Sequence, residues 1–145
     1  MNEIRKLSHS LVAPSLGDIG LKEALQGLVE DANSQNLQVQ LLFDEKYNEM
    51  SIDKNKELMF YRIVQEQMNN ITKYAKANKV DISFKTDDDN LILSVADDGV
   101  GFDSSQKSKG IGLKNISSRV EFYSGNMNII SAPGQGCTLE VFIPF

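Results

Sequence analysis

The segment DDGVGF spans residues 97–102, and the segment GIGLKN spans residues 110–115. The first follows a strand-like run at 91–96, and the second opens a helix-like run that ends near Tyr123. Glycine lets a phosphate approach the backbone closely, and the N–H groups at a helix start favour an anion. Asp97, at the end of a buried strand, is an acceptor suited to an exocyclic amine such as that of adenine. Together the two segments predict a nucleotide pocket beneath a lid, although either one alone also fits an ordinary turn.

Helical and alternating apolar patterns divide the rest of the chain into further elements. Residues 87–90 are turn formers between two of the predicted strands. Predicted helices cover residues 2–12, residues 18–33, a long stretch to about Ala77, and residues 112–123. The predicted N-caps are Asp18 for the second helix and Ser51 or Asp53 for the long one. Predicted strands cover residues 37–43, 80–85, 91–96, 127–131 and 137–143. This order predicts an α/β fold, a two-layer sandwich with one mixed sheet covered by helices on a single face.

The composition limits the class of protein. The chain has 145 residues and a net charge of −5, which fits one globular domain and argues against a nucleic-acid-binding surface. No apolar stretch is long enough to span a bilayer, and the single cysteine, Cys137, excludes an internal disulfide. We therefore expect a domain that works in the reducing cytoplasm. An acidic protein that binds a polyphosphate would need Mg²⁺ and a few placed lysines, such as Lys107 and Lys109 in the lid-like stretch 103–109.

A row of polar side chains lies on the predicted long helix. Glu66 and Asn70 are four residues apart and share a face, and Ile63 and Lys73 fall on the same side. A carboxylate, a carboxamide and an ammonium in one row would hold Mg²⁺ and phosphate oxygens, although such rows also occur on solvated helix faces. The predicted core stripe of this helix is distinct from the row and consists of Phe60, Val64, Met68, Ile71 and Ala75.

Four motifs occur together in one order. Residues 61–70, YRIVQEQMNN, resemble the N box of the ATP-binding domain of sensor histidine kinases. Residues 97–102, 110–113 and 134–138 resemble its first, second and last glycine boxes. The sequence of this N box resembles most closely that of the subfamily of the nitrate-sensor and DesK-like kinases. The resemblance covers about residues 18–145 and implies the Bergerat-type fold, which topoisomerase, chaperone and mismatch-repair ATPases share.

The resemblance also implies roles for individual residues. Asn70 would ligate Mg²⁺, Glu66 would orient a metal-bound water or polarise the attacking group, and Lys73 would face the phosphates. Asp97 would accept from the adenine amine, and Gly101 would leave room for the base. The remaining positions implied to bind the nucleotide are Gly99 in the first glycine box, Lys109, Gly110, Gly112 and Leu113 at the lid, and Thr138 near the adenine.

Two positions depart from the pattern of the family. Tyr74 stands where members usually carry histidine, and Cys137 takes a position usually held by threonine. Neither change removes the metal or adenine anchors. Cys137 lacks a strong hydroxyl, so the change affects the water contact expected beside the adenine.

The phospho-acceptor is the main gap in the resemblance. His9 is the only histidine, and it lacks the acidic neighbour that flanks the acceptor in this subfamily. By alignment it falls in the second helix of a dimerisation domain, whereas the acceptor lies on the first. We therefore expect residues 1–17 to be a remnant of that second helix with its linker, and residues 18–145 to be the ATP-binding catalytic domain. This chain alone is not expected to autophosphorylate.

The function implied by the resemblance is transfer of the γ-phosphoryl group of ATP to a histidine on a separate dimerisation domain. The implied partners are that domain, a response regulator and, in the full-length protein, a second copy of the chain, with or without a membrane anchor. Two alternatives stay open. One is a nucleotide-binding docking module with degenerate catalysis, motivated by Tyr74 and Cys137. The other is an anti-sigma-type serine kinase, which shares the fold.

Overall fold

The fold is built on one five-stranded mixed sheet. The computed structural model describes residues 20–48, 52–101 and 111–145. The strands are β1 (Gln38–Phe43), β2 (Lys79–Thr86), β3 (Asn90–Asp97), β4 (Asn126–Ser131) and β5 (Cys137–Pro144), and they are arranged in the order β1-β2-β3-β5-β4. β1 runs parallel to β2, and every other neighbouring pair is antiparallel. The predicted mixed sheet is therefore confirmed.

The two faces of the sheet differ in burial because side chains alternate along each strand. On β3, Leu91, Leu93, Val95 and Asp97 are buried, whereas the residues between them are half-buried. β5 repeats this pattern from Cys137 to Ile143. Since paired residues on neighbouring strands share a face, the buried positions form one continuous apolar surface for the helices.

The helices lie on that apolar surface. They are α1 (Leu21–Asn33), the one-turn α2 (Glu45–Asn48), the long α3 (Lys54–Asn70) and α4 (Ile111–Phe122). α3 lies between α1 and α4 and contacts β3, while α1 contacts β1 and α4 contacts β4 and β5. The predicted core stripe is buried at Phe60, Val64 and Met68 of α3 and at Ile71, the residue that follows the helix. Burying one such large side chain contributes about 1.5–3 kcal/mol to stability. This arrangement confirms the two-layer α/β sandwich.

Two helix starts illustrate how local and distant contacts set boundaries. Asp53, one of the two predicted candidates, is the N-cap of α3, and its carboxylate accepts from the Asn55 amide at 3.2 Å. The predicted start of α1 at Asp18 was wrong, because the helix begins at Leu21 with Gly20 as N-cap. The Leu21 amide lies 3.4 Å from a carboxylate oxygen of Glu57 on α3, so a tertiary contact supplies the acceptor there.

The short helix α2 was not predicted. Asp44 organises it: one carboxylate oxygen accepts from the Lys46 amide at 3.1 Å, and the other accepts from the Thr86 amide at 3.3 Å. These backbone contacts lower the pKa of Asp44, the Lys46 amide having the largest effect. Tyr47 then packs in an aromatic cluster with Phe43 and Phe84. The helix thus depends on contacts across the sheet.

Ile63 and the end of α3 also differ from the prediction. Ile63 was placed on the polar row with Glu66, but it is fully buried in the core. The α-helix predicted to reach about Ala77 ends at Asn70 and continues as a π-helix over Ile71–Ala75, and Lys76 then adopts a left-handed conformation with φ 50°. Within the described residues, no helix has the length and apolar character needed to cross a membrane.

Candidate nucleotide-binding site

The site begins at Asp97, the last residue of β3. Its side chain is only 9% exposed, and its Oδ1 accepts from the Gly99 amide at 2.8 Å. Burial raises the pKa of Asp97, the Asp98 carboxylate adds to this increase, and the amides of Gly99 and Cys137 oppose it. An ionised carboxylate has about four acceptor sites, so Asp97 keeps room for a ligand amine beside the amides of Gly99 and Cys137.

Gly99 packs directly against the end of the π-helix. A Cβ atom at this position would collide with the carbonyl group of Ala75. The Val100 amide donates to the same Ala75 oxygen at 2.7 Å. The first glycine box is therefore attached to the C-terminal end of the helix that carries the N box.

Both the backbone conformation at position 101 and the close packing of a neighbouring turn require glycine there. Its φ is 65°, and a Cβ atom there would collide with the carbonyl oxygen of Ala132. The Gly134 amide donates to the Val100 carbonyl at 2.6 Å, which joins the two loops. The close approach of the Ala132 turn accounts for this glycine, and the room for a base predicted at Gly101 stays a prediction.

Glu66 and Asn70 lie one turn apart near the C-terminal end of α3, and both are half-buried. The Asn70 amide nitrogen lies 3.5 Å from the side-chain oxygen of Gln67. Donation through nitrogen leaves the Asn70 Oδ1 as the atom that would face a cation. Lys73 is exposed and lies within the π-helix, so the α-helical spacing used to predict its face does not apply.

The donor set fits Mg²⁺ held largely by phosphate. Among the described residues, no group of three or more His, Cys, Asp or Glu side chains could enclose a metal ion. Mg²⁺ commonly takes one or two protein oxygens and completes its shell with phosphate and water. Glu66 and Asn70 supply that number, so the chemistry of the site agrees with the predicted ligands.

Cys137 and Thr138 lie on opposite faces of the sheet. Cys137 pairs with Asp97 and shares its buried face, whereas Thr138 pairs with Ala96 on the half-buried face. Burial, helped by the Asp97 carboxylate, raises the pKa of the Cys137 thiol to about 11. Cys137 is therefore the side chain across from Asp97, and the adenine-side role of Thr138 stays a prediction.

Part of the predicted lid lies outside the residues that the structure describes. Lys109, Gly110 and the stretch 103–109 fall outside the described residues. Gly112 and Leu113 belong to the first turn of α4. Their predicted contacts with the nucleotide stay predictions.

Three residues at the site were not predicted from the sequence. Gln67 is 3% exposed and contacts Asn70; a glutamine inside the apolar pattern of the helix was the available signal. Asp98 accepts from the amides of Asn78 and Lys79 at 2.8 and 2.9 Å, and these contacts hold its pKa low. The third is Ala75, whose backbone carbonyl group accepts from the Val100 amide. A backbone contact of this kind leaves no side-chain pattern in the sequence.

Known proteins give the context for this geometry. Residues 55–145 match the family model described as histidine kinase-, DNA gyrase B- and HSP90-like ATPase. The chain is 30% identical to the oxygen sensor histidine kinase NreB of Staphylococcus carnosus (strain TM300) over 146 aligned positions, which cover 99% of this chain and 42% of NreB. The chain therefore spans less than half the length of this relative.

Solved structures agree on the fold. The histidine kinase domain of the blue-light activated histidine kinase from Erythrobacter litoralis EL346 has a TM-score of 0.72 and 17% identity, covering 87% of this chain and 65% of that domain. The Acinetobacter baumannii histidine kinase AdeS has a TM-score of 0.68 and 15% identity, with coverage of 87% and 65%.

The chain belongs to the family of histidine kinase-, DNA gyrase B- and HSP90-like ATPases. The relative that it is similar to is a sensor histidine kinase, and the solved histidine kinase structures share its fold. Neither the docking module nor the anti-sigma-type serine kinase is favoured by these comparisons.

Proposed function

We propose that this domain binds ATP with Mg²⁺ and transfers the γ-phosphoryl group to a histidine on a separate dimerisation domain. A response regulator would then receive the phosphoryl group, and the full-length protein would act as a homodimer in the cytoplasm, with or without a membrane anchor. The observation that carries the proposal is the buried Asp97, held beside the end of the helix that presents Glu66 and Asn70.

The adenine is assigned to Asp97. Its carboxylate accepts from the Gly99 amide through Oδ1 and would use remaining acceptor capacity for the exocyclic amine. A buried hydrogen bond to a charged acceptor contributes more than an exposed one, because an unpaired partner would lose its hydration. Recognition of adenine over guanine would follow, since guanine presents a carbonyl at the corresponding position.

The phosphates are assigned to the end of α3 and the start of α4. Asn70 and Glu66 would hold Mg²⁺, which supplies charge neutralisation on the phosphate oxygens when it is bound. Glu66 would also polarise the attacking imidazole, while Lys73 and Lys109 would face the phosphates. Gly110, Gly112 and Leu113 would offer backbone N–H groups as the lid orders around ATP.

Nucleotide binding is the first test of this proposal. Calorimetry would measure ATP and ADP binding to this chain with and without Mg²⁺, in the wild type and in Asp97→Asn. The asparagine keeps an oxygen for the Gly99 amide but turns a donor toward the adenine amine. We expect Mg²⁺-assisted ATP binding in the wild type and affinity about 10- to 100-fold weaker in the variant.

Phosphoryl transfer is the second test. A dimerisation domain with its acceptor histidine would be supplied with radiolabelled ATP and this chain. Label on the supplied histidine, and no stable label on His9 of this chain alone, is the expected result. Absence of ATP binding by the wild type would overturn the proposal, and ATP binding without any transfer would point to a docking module instead.

A further inference from the structure

A groove lies between α3 and α4, away from the nucleotide site. It is about 380 Å³ in volume and is lined from α3 by Leu58, Met59 and Arg62. The opposite wall is formed by Ser118, Arg119 and Phe122 of α4 and by Tyr123, the residue after it. The two helices pack against each other, so the groove is a property of the folded domain. Leu58 and Asn70 are separated by about 18 Å along the axis of α3, which leaves the nucleotide end of the helix uncovered.

Phe122 is the main apolar feature of this groove. It is 81% exposed, and its ring contacts Tyr123 edge to face with 5.1 Å between centroids. A phenylalanine that packs against one neighbour but is otherwise exposed to solvent would bury apolar surface on contact with another protein. Aromatic and arginine side chains are also the residues that contribute most to protein–protein binding energy.

The charges in the groove have one sign. Among the described residues that line it, the two charged ones are Arg62 and Arg119, although the whole chain carries a net charge of −5. Arg62 lies 3.2 Å from the Gln65 side-chain oxygen, which orients its guanidinium along α3. An apolar floor with arginines beside it complements an apolar stripe with acidic flanks.

We propose that the α3–α4 groove is a docking site for an acidic amphipathic helix of a partner protein. The partner helix would place two or three apolar side chains, spaced i, i+3 or i+4, against Leu58, Met59 and Phe122. Its flanking carboxylates would pair with Arg62 and Arg119. The proposal is independent of phosphoryl transfer, because it uses none of the nucleotide-site residues.

Designed peptides test the proposal directly. One helical peptide of about 18 residues would carry a leucine stripe flanked by glutamates, and a matched peptide would carry lysines in place of the glutamates. Binding to the ¹⁵N-labelled chain would be followed by NMR chemical shifts and fluorescence anisotropy. We expect the acidic peptide to bind about tenfold or more tightly than the basic one, with shifts concentrated at Arg62, Ser118 and Phe122.

Three variants make the result specific. Phe122→Ala should weaken binding of the acidic peptide about tenfold. Arg119→Glu, which leaves one positive and one negative charge beside the groove, should remove most of the preference between the two peptides. Leu42→Ala, which removes a side chain of similar exposure (60%) on the other face of the sheet, should change nothing. Equal binding of both peptides, shifts outside the groove, or no binding at about 1 mM peptide would overturn the proposal.

Discussion

The two ends of α3 are held in different ways. At the N-terminal end, Asp53 caps the first turn through the nearby Asn55 amide, and the helix is regular from its first residue. At the C-terminal end, the α-helix continues as a π-helix. The Ala75 carbonyl there accepts a hydrogen bond from the amide of Val100, which is distant along the chain. The first end follows local rules of capping, whereas the second takes its form from the loop of the nucleotide site.

This difference suggests that stability and ligand binding are separable along one helix. A π-helix is a less favourable form than a continuous α-helix, and such segments are frequent at functional sites. We therefore expect changes at the C-terminal end to affect nucleotide binding or transfer. Changes to the N-cap of α3 should affect stability and leave nucleotide binding unchanged.

The largest effect is expected for Glu66→Gln at the C-terminal end. Loss of the carboxylate that polarises the attacking imidazole should reduce transfer to a supplied acceptor domain by about 10²- to 10⁴-fold. Because Glu66 is also a proposed Mg²⁺ ligand, Mg²⁺-assisted ATP binding by calorimetry should weaken too, but by only about tenfold or less. Glu121→Gln, on the exposed surface of α4, is the matched control and should retain full activity. A Glu66→Gln rate close to that of the wild type would remove Glu66 from the proposed mechanism.

A second effect is expected where the π-helix meets the first glycine box. Gly99→Ala places a methyl group against the Ala75 carbonyl, so the loop must shift. We expect a loss of about 1–3 kcal/mol in the free energy of unfolding, measured by urea denaturation, together with weaker ATP binding.

Gly27→Ala is the matched control for that substitution. Gly27 lies inside α1, and a Cβ atom there meets no heavy atom within 4 Å. The same chemical change should therefore raise the free energy of unfolding by about 0.5–1 kcal/mol and leave ATP binding unchanged. Similar behaviour of the two variants would contradict the close contact assigned to Gly99.

A smaller effect is expected at the capped end of the helix. Asp53→Ala removes the acceptor for the Asn55 amide and should cost about 1 kcal/mol in the free energy of unfolding. Asp53→Asn keeps an oxygen acceptor and should recover most of this loss. ATP affinity should be equal in all three proteins, and a change in affinity would show that the two ends of α3 are coupled.

The smallest effect concerns the pH dependence of stability at Asp97. Burial raises the pKa of its carboxyl above the ordinary value of 3.8, so the folded protein holds the proton to higher pH than the unfolded chain does. The wild type should therefore lose stability as pH rises from about 3.8 through the folded pKa. Asp97→Asn should lack this loss and be the more stable protein at pH 7, as urea titrations at several pH values would measure. An opposite difference would mean that the amides of Gly99 and Cys137 outweigh burial.

Patterns in the sequence were sufficient wherever the determining contacts are close along the chain. The hairpin of β2 and β3 was predicted from alternation and the acidic turn, and the Asp87 carboxylate accepts from the Asp89 amide inside that turn. The start of α3 was predicted at Ser51 or Asp53 for the same reason, and the structure has Asp53 as the N-cap. The start of α1 was not predicted correctly, because its acceptor, Glu57, belongs to another helix.

The site itself was predicted only in part. Motif order predicted that Asp97, Glu66 and Asn70 belong to one site. The contact of Val100 with Ala75 joins the loop after Asp97 to the end of the helix that carries the other two. The register of β3 and β5 decided that Cys137, not Thr138, shares the face of Asp97. A shift of one residue in that register would have exchanged the two faces, and nothing local to either strand determines it.

The sequence by itself determined the family, the alternation of helices and strands, and the residue types available for adenine, metal and phosphate. These follow from short-range patterns, in which each residue acts through its own conformational preference and its neighbours. Only the tertiary structure decided the π-helical end of α3, the glycine contacts with Ala75 and Ala132, and the groove beside Phe122. All three arise from backbone or side-chain surfaces that are distant along the chain, and such contacts exist only after the helices have packed on the sheet.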